Sequence, residues 1–174
     1  VAMKNIMVVK LSAIGDVIHA LPVSYALKET FPEARVTWVV EPPAYELLTD
    51  NPYIDEIILF EKKKFKSLGG FLTNSGPFKR RLQQNQYDAV LDLQGLFKSA
   101  AIAYLSKAPV RLGTCNMREC SDKVSRPVIG PHAQGHIVEL PGQTVYGITG
   151  FGLGRLFGSD DCRRISYVLR LQII

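Results

Sequence analysis

The chain has 174 residues, 47% of them hydrophobic and 21% charged, with a net charge of +5. That is an ordinary globular composition, long enough for one domain with at most a short appendage and able to bury a core without staples. No stretch approaches the roughly 18 consecutive apolar residues of a membrane span, and the N-terminus lacks the charged start and long apolar core of a signal peptide, so neither a spanning nor an exported protein is expected.

The elements alternate. Ile6–Leu11 has the continuous apolar character of a buried strand, and a helical stretch follows to about Thr30. Pro22 lies within it, so the helix either kinks there or begins its main part at the proline. A second strand is predicted over Arg35–Val40, a short helix over Ala44–Leu48 opened by Pro42-Pro43, and a third strand over Glu56–Phe60. Residues 61–70 are basic with a glycine pair, and Pro77–Gln84 has the composition of an exposed basic helix. A fourth strand over Ala89–Asp92, a helix over Leu96–Leu105 and a fifth strand over Val110–Leu112 complete the pattern. Strands alternating with helices predict an α/β fold, a Rossmann-like parallel sheet with helices on both faces and right-handed crossovers. Ligands of such sheets gather at the carboxyl ends of the strands. Two polar turns fall there, Ser12–Asp16 and Asp92–Gly95.

After Glu139 the alternation stops. Residues 140–174 contain six glycines and a mixed basic and apolar end, which predicts an atypical tail. "GITGFGLGRLFG" within it has no strong strand before it and lacks the spacing of a nucleotide fingerprint, so it is read as irregular.

Positive charge is clustered at Lys62, Lys63, Lys64 and Lys66, and again at Lys79, Arg80 and Arg81. Such faces suit nucleic acid, acidic lipid head groups or a phosphorylated small molecule; the plainer reading is solvated surface. The odd number of cysteines (Cys115, Cys120 and Cys162) fits a reducing compartment better than a disulfide framework. Cys115, Cys120, His132 and His136 approach zinc-finger spacing. Pro127, Gly130, Pro131 and Gly135 interrupt the helix that such a finger needs, so no metal site is expected there.

The first turn, "KLSAIGDVIHALP", carries one glycine where a dinucleotide loop needs three, and no Gly-Lys-Ser/Thr of a P-loop. Gly15 would let a ligand approach the backbone. Asp16 has two readings: a cap for free helix N–H groups, or a general base, since a helix N-terminus keeps a carboxylate ionised. In "DLQGLFKSA", residues 92–100, Gly95 permits a tight turn and Lys98 joins a helix N-terminus suited to an anion; an ordinary capped turn is the plainer alternative. Arg118, paired with Glu119 between two of the cysteines, is a polar candidate in the loop after the fifth strand.

"KLSAIGDVIHALP", "VTWVVE", "YDAVLDLQGLFKSA" and "RLGTCNMRECSD" come in the order seen in the lipopolysaccharide heptosyltransferases of glycosyltransferase family 9, and residues 3–139 resemble the N-terminal half of such an enzyme. The resemblance implies a GT-B fold, two Rossmann-like domains across a cleft, with this half on the acceptor side and a C-terminal domain holding the donor, ADP-heptose. It implies a Kdo-bearing lipid A acceptor, inversion at the anomeric centre, and peripheral work at the cytoplasmic face of the inner membrane. By the same resemblance Asp16 is the base of the S-x-x-G-D-V motif, with Ser12 and Gly15 beside it. Arg118, and more loosely Lys62 and Lys64, contact acidic acceptor groups; Lys98 belongs to the second motif. No metal or other cofactor is required, and no nucleic acid partner is implied. Residues 140–174 depart from the family pattern, which points to a frameshift or truncation, with the donor domain absent and activity lost. Two other classes compete: a non-catalytic module for anionic glycolipid, and a small zinc- or nucleic-acid-binding protein.

Overall fold

The computed structural model describes residues 3–113 and 123–127. Along the chain run β1 (Asn5–Val9), α1 (Ile14–Thr30), β2 (Arg35–Val40), a 3-10 turn (Pro42–Leu47), β3 (Glu56–Leu59) and a second 3-10 turn (Lys62–Phe65). They are followed by α2 (Leu68–Gln83), β4 (Ala89–Asp92), α3 (Phe97–Leu105), β5 (Val110–Gly113) and β6 (Arg126–Pro127). The six strands form one sheet in the order β3-β2-β1-β4-β5-β6. Every pairing is parallel, including Ile6 with Val36 and Ala89, and Val9 with Val39 and Asp92.

Strand side chains alternate between two apolar layers, because successive residues of a strand point to opposite faces. Ile6 and Val8 join Val36, Trp38 and Leu91 against Val17, Ala20, Val23 and Leu27 of α1. Met7 and Val9 join Val39, Ile58 and Val90 against Leu82 of α2 and Ile102 and Ala103 of α3. A sheet covered on both faces has no polar alternation to keep, so its strands are apolar throughout. The α/β sheet with helices on both faces is thus as the strand and helix spacing predicts.

Several element bounds differ from the sequence reading by a residue or two, and three elements show more. β1 ends at Val9, before Lys10 and Leu11. α1 is a single helix with Pro22 inside it. Its buried stripe, Val17, Ala20, Val23, Ala26 and Leu27, keeps a three-to-four-residue spacing across the proline, so packing against the sheet outweighs the lost N–H. α2 begins at Leu68 instead of Pro77, with Pro77 again inside the helix. Ser67 starts it by accepting a hydrogen bond from Gly70 N at 3.0 Å, an N-cap that offsets the poor propensity of Gly69 and Gly70. The two-residue β6 pairs with β5 and has no signature in the sequence.

β1 connects to β2 on one side and lies against β4 on the other. The chain therefore changes winding direction between β1 and β4, and the carboxyl ends of these strands border a natural crevice.

Candidate functional site

The exits of β1 and β4 are tied together. Gln94 Oε1 accepts from Leu11 N at 3.1 Å and from Ser12 N at 3.3 Å. Lys10 Nζ donates to Leu93 O at 3.1 Å. Gly95 turns with φ 67°, a left-handed conformation that glycine adopts freely. The turn is closed by Asp92 Oδ1, which accepts from Gly95 N at 2.9 Å and Gln94 N at 3.1 Å. Leu96 N then donates to Ser99 Oγ at 3.0 Å as α3 begins.

Asp16 stands in the first turn of α1, above this crevice. Its Oδ2 accepts a long hydrogen bond from Ala13 N, 3.4 Å, and lies 3.8 Å from Lys10 Nζ. The Asp16 side chain is 39% exposed while that of Lys10 is only 12% exposed. A cation that is nearly out of water thus faces a carboxylate that solvent still reaches. Burial pushes the Lys10 ammonium below its usual range, and Asp16 and Asp92 pull it back. The Asp92 side chain is fully buried, and burial raises its carboxyl above the usual carboxylate range; Gly95, Ser99, Gln94 and Lys10 partly offset the rise. Lys10 therefore lies between a buried carboxyl and a solvent-facing one.

Gly15, one residue before Asp16, has an ordinary φ, and a Cβ built on it would meet nothing within 4 Å. Among the described residues, neither backbone strain nor packing calls for a glycine there. Lys98, in the first turn of α3, has its Nζ 4.0 Å from Glu41 Oε1 at the exit of β2. Lys62 and Lys64 lie in the turn after β3, where Lys64 is ion-paired with Glu61. Lys62 and Lys98 border one groove between that turn, α2 and α3.

The structure thus brings Ser12, Gly15 and Asp16 together with Lys10 and Gln94, and sets Lys98 and Lys62 on an adjoining groove. Arg118, Cys115, Cys120, His132, His136 and residues 140–174 lie outside the described residues. Among the described residues no cluster of histidine, cysteine and carboxylate side chains is arranged to hold a metal ion. Sequence reasoning passed over Lys10 and Glu41. Each directly follows a strand, and that position is the only signal that marks them.

An all-parallel sheet with its polar turns at one switch point is the architecture of a Rossmann-like half of a GT-B glycosyltransferase. In overall fold the chain matches the solved E. coli heptosyltransferase WaaC with ADP, with a TM-score of 0.68 at 25% identity, over 85% of this chain and 48% of that one. A family 9 glycosyltransferase from Veillonella parvula matches with a TM-score of 0.70 at 20% identity, over 83% of this chain and 41% of that one, a likeness of fold. Lipopolysaccharide heptosyltransferase 1 of Pseudomonas aeruginosa is 37% identical over 110 residues, 61% of this chain and 31% of the relative. The family model described as glycosyltransferase family 9 (heptosyltransferase) matches residues 76–142. By these matches the chain is similar to glycosyltransferase family 9 over the residues they cover. It spans about a third of the length of the curated relatives it matches (31% of the Pseudomonas protein).

Proposed function

We propose that this chain forms the acceptor-side half of an inverting heptosyltransferase of lipopolysaccharide assembly, with Asp16 as its general base. The observation that carries the reading is the setting of Asp16: a solvent-reached carboxylate at a helix N-terminus, 3.8 Å from a nearly buried ammonium, at the crevice between β1 and β4. The helix N-terminus and the lysine set partial and full positive charge beside this carboxylate. An acceptor hydroxyl placed there gives its proton to Asp16 while its oxygen bonds to the anomeric carbon of the donor sugar. The bond from that carbon to the diphosphate breaks, ADP leaves with the electron pair, and the centre inverts.

Gly15 leaves room for the acceptor beside the backbone, and Ser12 lines the same turn. Lys62, Lys64, Lys98 and Arg118 are the cations offered to the acidic groups of a Kdo-lipid A acceptor. The donor, ADP-heptose, belongs to the other half of a GT-B pair, and the reaction takes place at the cytoplasmic face of the inner membrane. Because positioning of both reactants supplies a large part of the rate in such transfers, these 174 residues assayed alone are expected to turn over no ADP-heptose.

The test is Asp16→Asn at the matching position of a full-length relative. The expected outcome is a fall in kcat of roughly 10²–10⁴-fold, the usual contribution of a general base, with acceptor affinity retained. Unchanged turnover would leave Asp16 only as a cap for the Ala13 N–H.

A further inference from the structure

The ladder between β1 and β4 ends in an exchange of partners. Leu93 N donates to Val9 O at 3.0 Å, and in a parallel pair the next rung would run from Leu11 N to Leu93 O. That rung is not made. Leu11 N donates instead to Gln94 Oε1 at 3.1 Å, and Leu93 O accepts from Lys10 Nζ at 3.1 Å. Two side chains thus satisfy both halves of a missing main-chain bond, at the point where the strands splay into the crevice. Either group would be costly to leave unpaired away from water, so the splay persists only while these side chains hold them.

The same oxygen serves the next residue of the turn. Ser12 N also donates to Gln94 Oε1, at 3.3 Å, and Ala13 N donates to Asp16 Oδ2 at 3.4 Å. Among the described residues, none of the three successive N–H groups of Leu11, Ser12 and Ala13 donates to a main-chain carbonyl. Side chains therefore shape this turn, and Asp16 is one of them. The bond to Asp16 is long, so the firmer hold is that of Gln94. Gln94 is itself fixed from below: its N donates to Asp92 Oδ1 at 3.1 Å, on a fully buried side chain.

We propose that Gln94 is a positioning residue for the transfer: by holding Leu11 N and Ser12 N off the β4 ladder, it keeps the two strand exits apart and sets where Asp16 presents its carboxylate. The inference rests on the reading of Asp16 as the base. It concerns Gln94 Oε1, whose partners are main-chain N–H groups. Without that oxygen, Leu11 N can close on Leu93 O, Lys10 Nζ loses its anchor there, and the ammonium 3.8 Å from Asp16 shifts with the turn. A reacting group misplaced by about 1 Å can cost roughly 10²-fold, so the shape of the turn is felt as rate more than as affinity.

The test is Gln94→Met, close in size but without the acceptor, at the matching position of a full-length relative that carries glutamine there, alone and combined with Asp16→Asn. Alone it should lower kcat by about tenfold or more and change the acceptor KM by less than about twofold. In the Asp16→Asn background it should change the residual kcat by less than about twofold, because residues that act as a unit are not additive. A raised KM with kcat unchanged overturns the proposal. So does an equal loss of kcat in both backgrounds, the result of a clamp that supports only the fold. Full turnover by Gln94→Met beside a slow Asp16→Asn overturns the positioning role and leaves the base standing; full turnover by Asp16→Asn overturns both. Should Gln94→Met not fold by circular dichroism, Gln94→Asn, which keeps the amide and withdraws its oxygen by one methylene, takes its place with the same outcomes.

Discussion

Within the proposed function, Asp16 serves two purposes without conflict. Its Oδ2 accepts from Ala13 N at the start of α1, and a helix N-terminus favours a negative charge, so the capping bond and the proposed base role draw on one position. Lys10 strengthens both by facing the carboxylate at 3.8 Å. Replacing it by methionine in a full-length relative should lower kcat, because the positive charge 3.8 Å from the proposed base is gone; unchanged turnover would mean that Lys10 does not act through Asp16. Gly15 offers a sharper separation of folding from function. Gly15→Ala meets no atom of the described residues and gains helix propensity, so thermal stability should stay level or rise by up to about 1 kcal/mol. Within the proposed function, the same change in a full-length relative should raise the acceptor KM, since the added methyl enters open space beside Asp16.

At the scale of elements, polar residues clamp strand to strand where the apolar layers end. Glu56 of β3 sits 3.1 Å from Arg35 Nη2 of β2 and 2.5 Å from Arg81 Nη2 of α2, and Asn85 Nδ2 donates to it at 2.7 Å. Both arginines are about half exposed, which weakens each pair. Glu56→Ala should therefore cost about 1–2 kcal/mol of unfolding free energy in urea, through the charge-assisted bonds lost around a nearly buried carboxylate. Asp55 beside it holds the start of β2, accepting from Val36 N at 2.6 Å and pairing with Lys28 Nζ of α1 at 2.7 Å. Burial alone would raise its pKa, but the bonds from Lys28 and Val36 outweigh burial and hold the carboxyl below its usual value. The stability this gives is present above the ordinary carboxylate pKa and is lost as pH falls through the lowered one. Asp55→Asn should flatten that acid limb of a stability–pH curve.

Across the whole molecule, the sheet's order decides what the polar turns can do. The winding reverses between β1 and β4, so both strand exits open on the same crevice, and the fully buried Asp92 closes its floor. Its carboxyl is raised in the folded chain. The folded state therefore binds more protons than the unfolded between the ordinary carboxylate pKa and the raised one, and stability falls as pH rises through that window. Asp92→Asn keeps an acceptor oxygen for Gly95 N and should remove that slope, measured by urea midpoints on the acidic side of neutrality. No described helix is long and apolar enough to cross a membrane; within the proposed function, contact with a bilayer falls to the lysine-bordered surface. Trp38 holds the centre of the α1 layer, fully buried, with its Nε1 donating to Lys10 O at 3.3 Å. Trp38→Ala should cost about 3–5 kcal/mol and disturb the lysine that faces Asp16.

The strands, their parallel pairing and the two polar turns were legible in the sequence because each is encoded locally: apolar runs buried on both faces, and glycine with carboxylates at their exits. The helical stretch around Pro22 and the early start of α2 were less so, since a proline's local cost is visible in the sequence while the burial that outweighs it comes from the sheet opposite. Asp16, Gly15 and Lys98 could be nominated from motif and spacing. The approach of Lys10 to Asp16 and that of Lys98 to Glu41 join residues distant along the chain. Only the tertiary structure decided these, because which side chains meet at a sheet edge depends on strand order, and strand order is set by how the whole chain buries its two apolar faces.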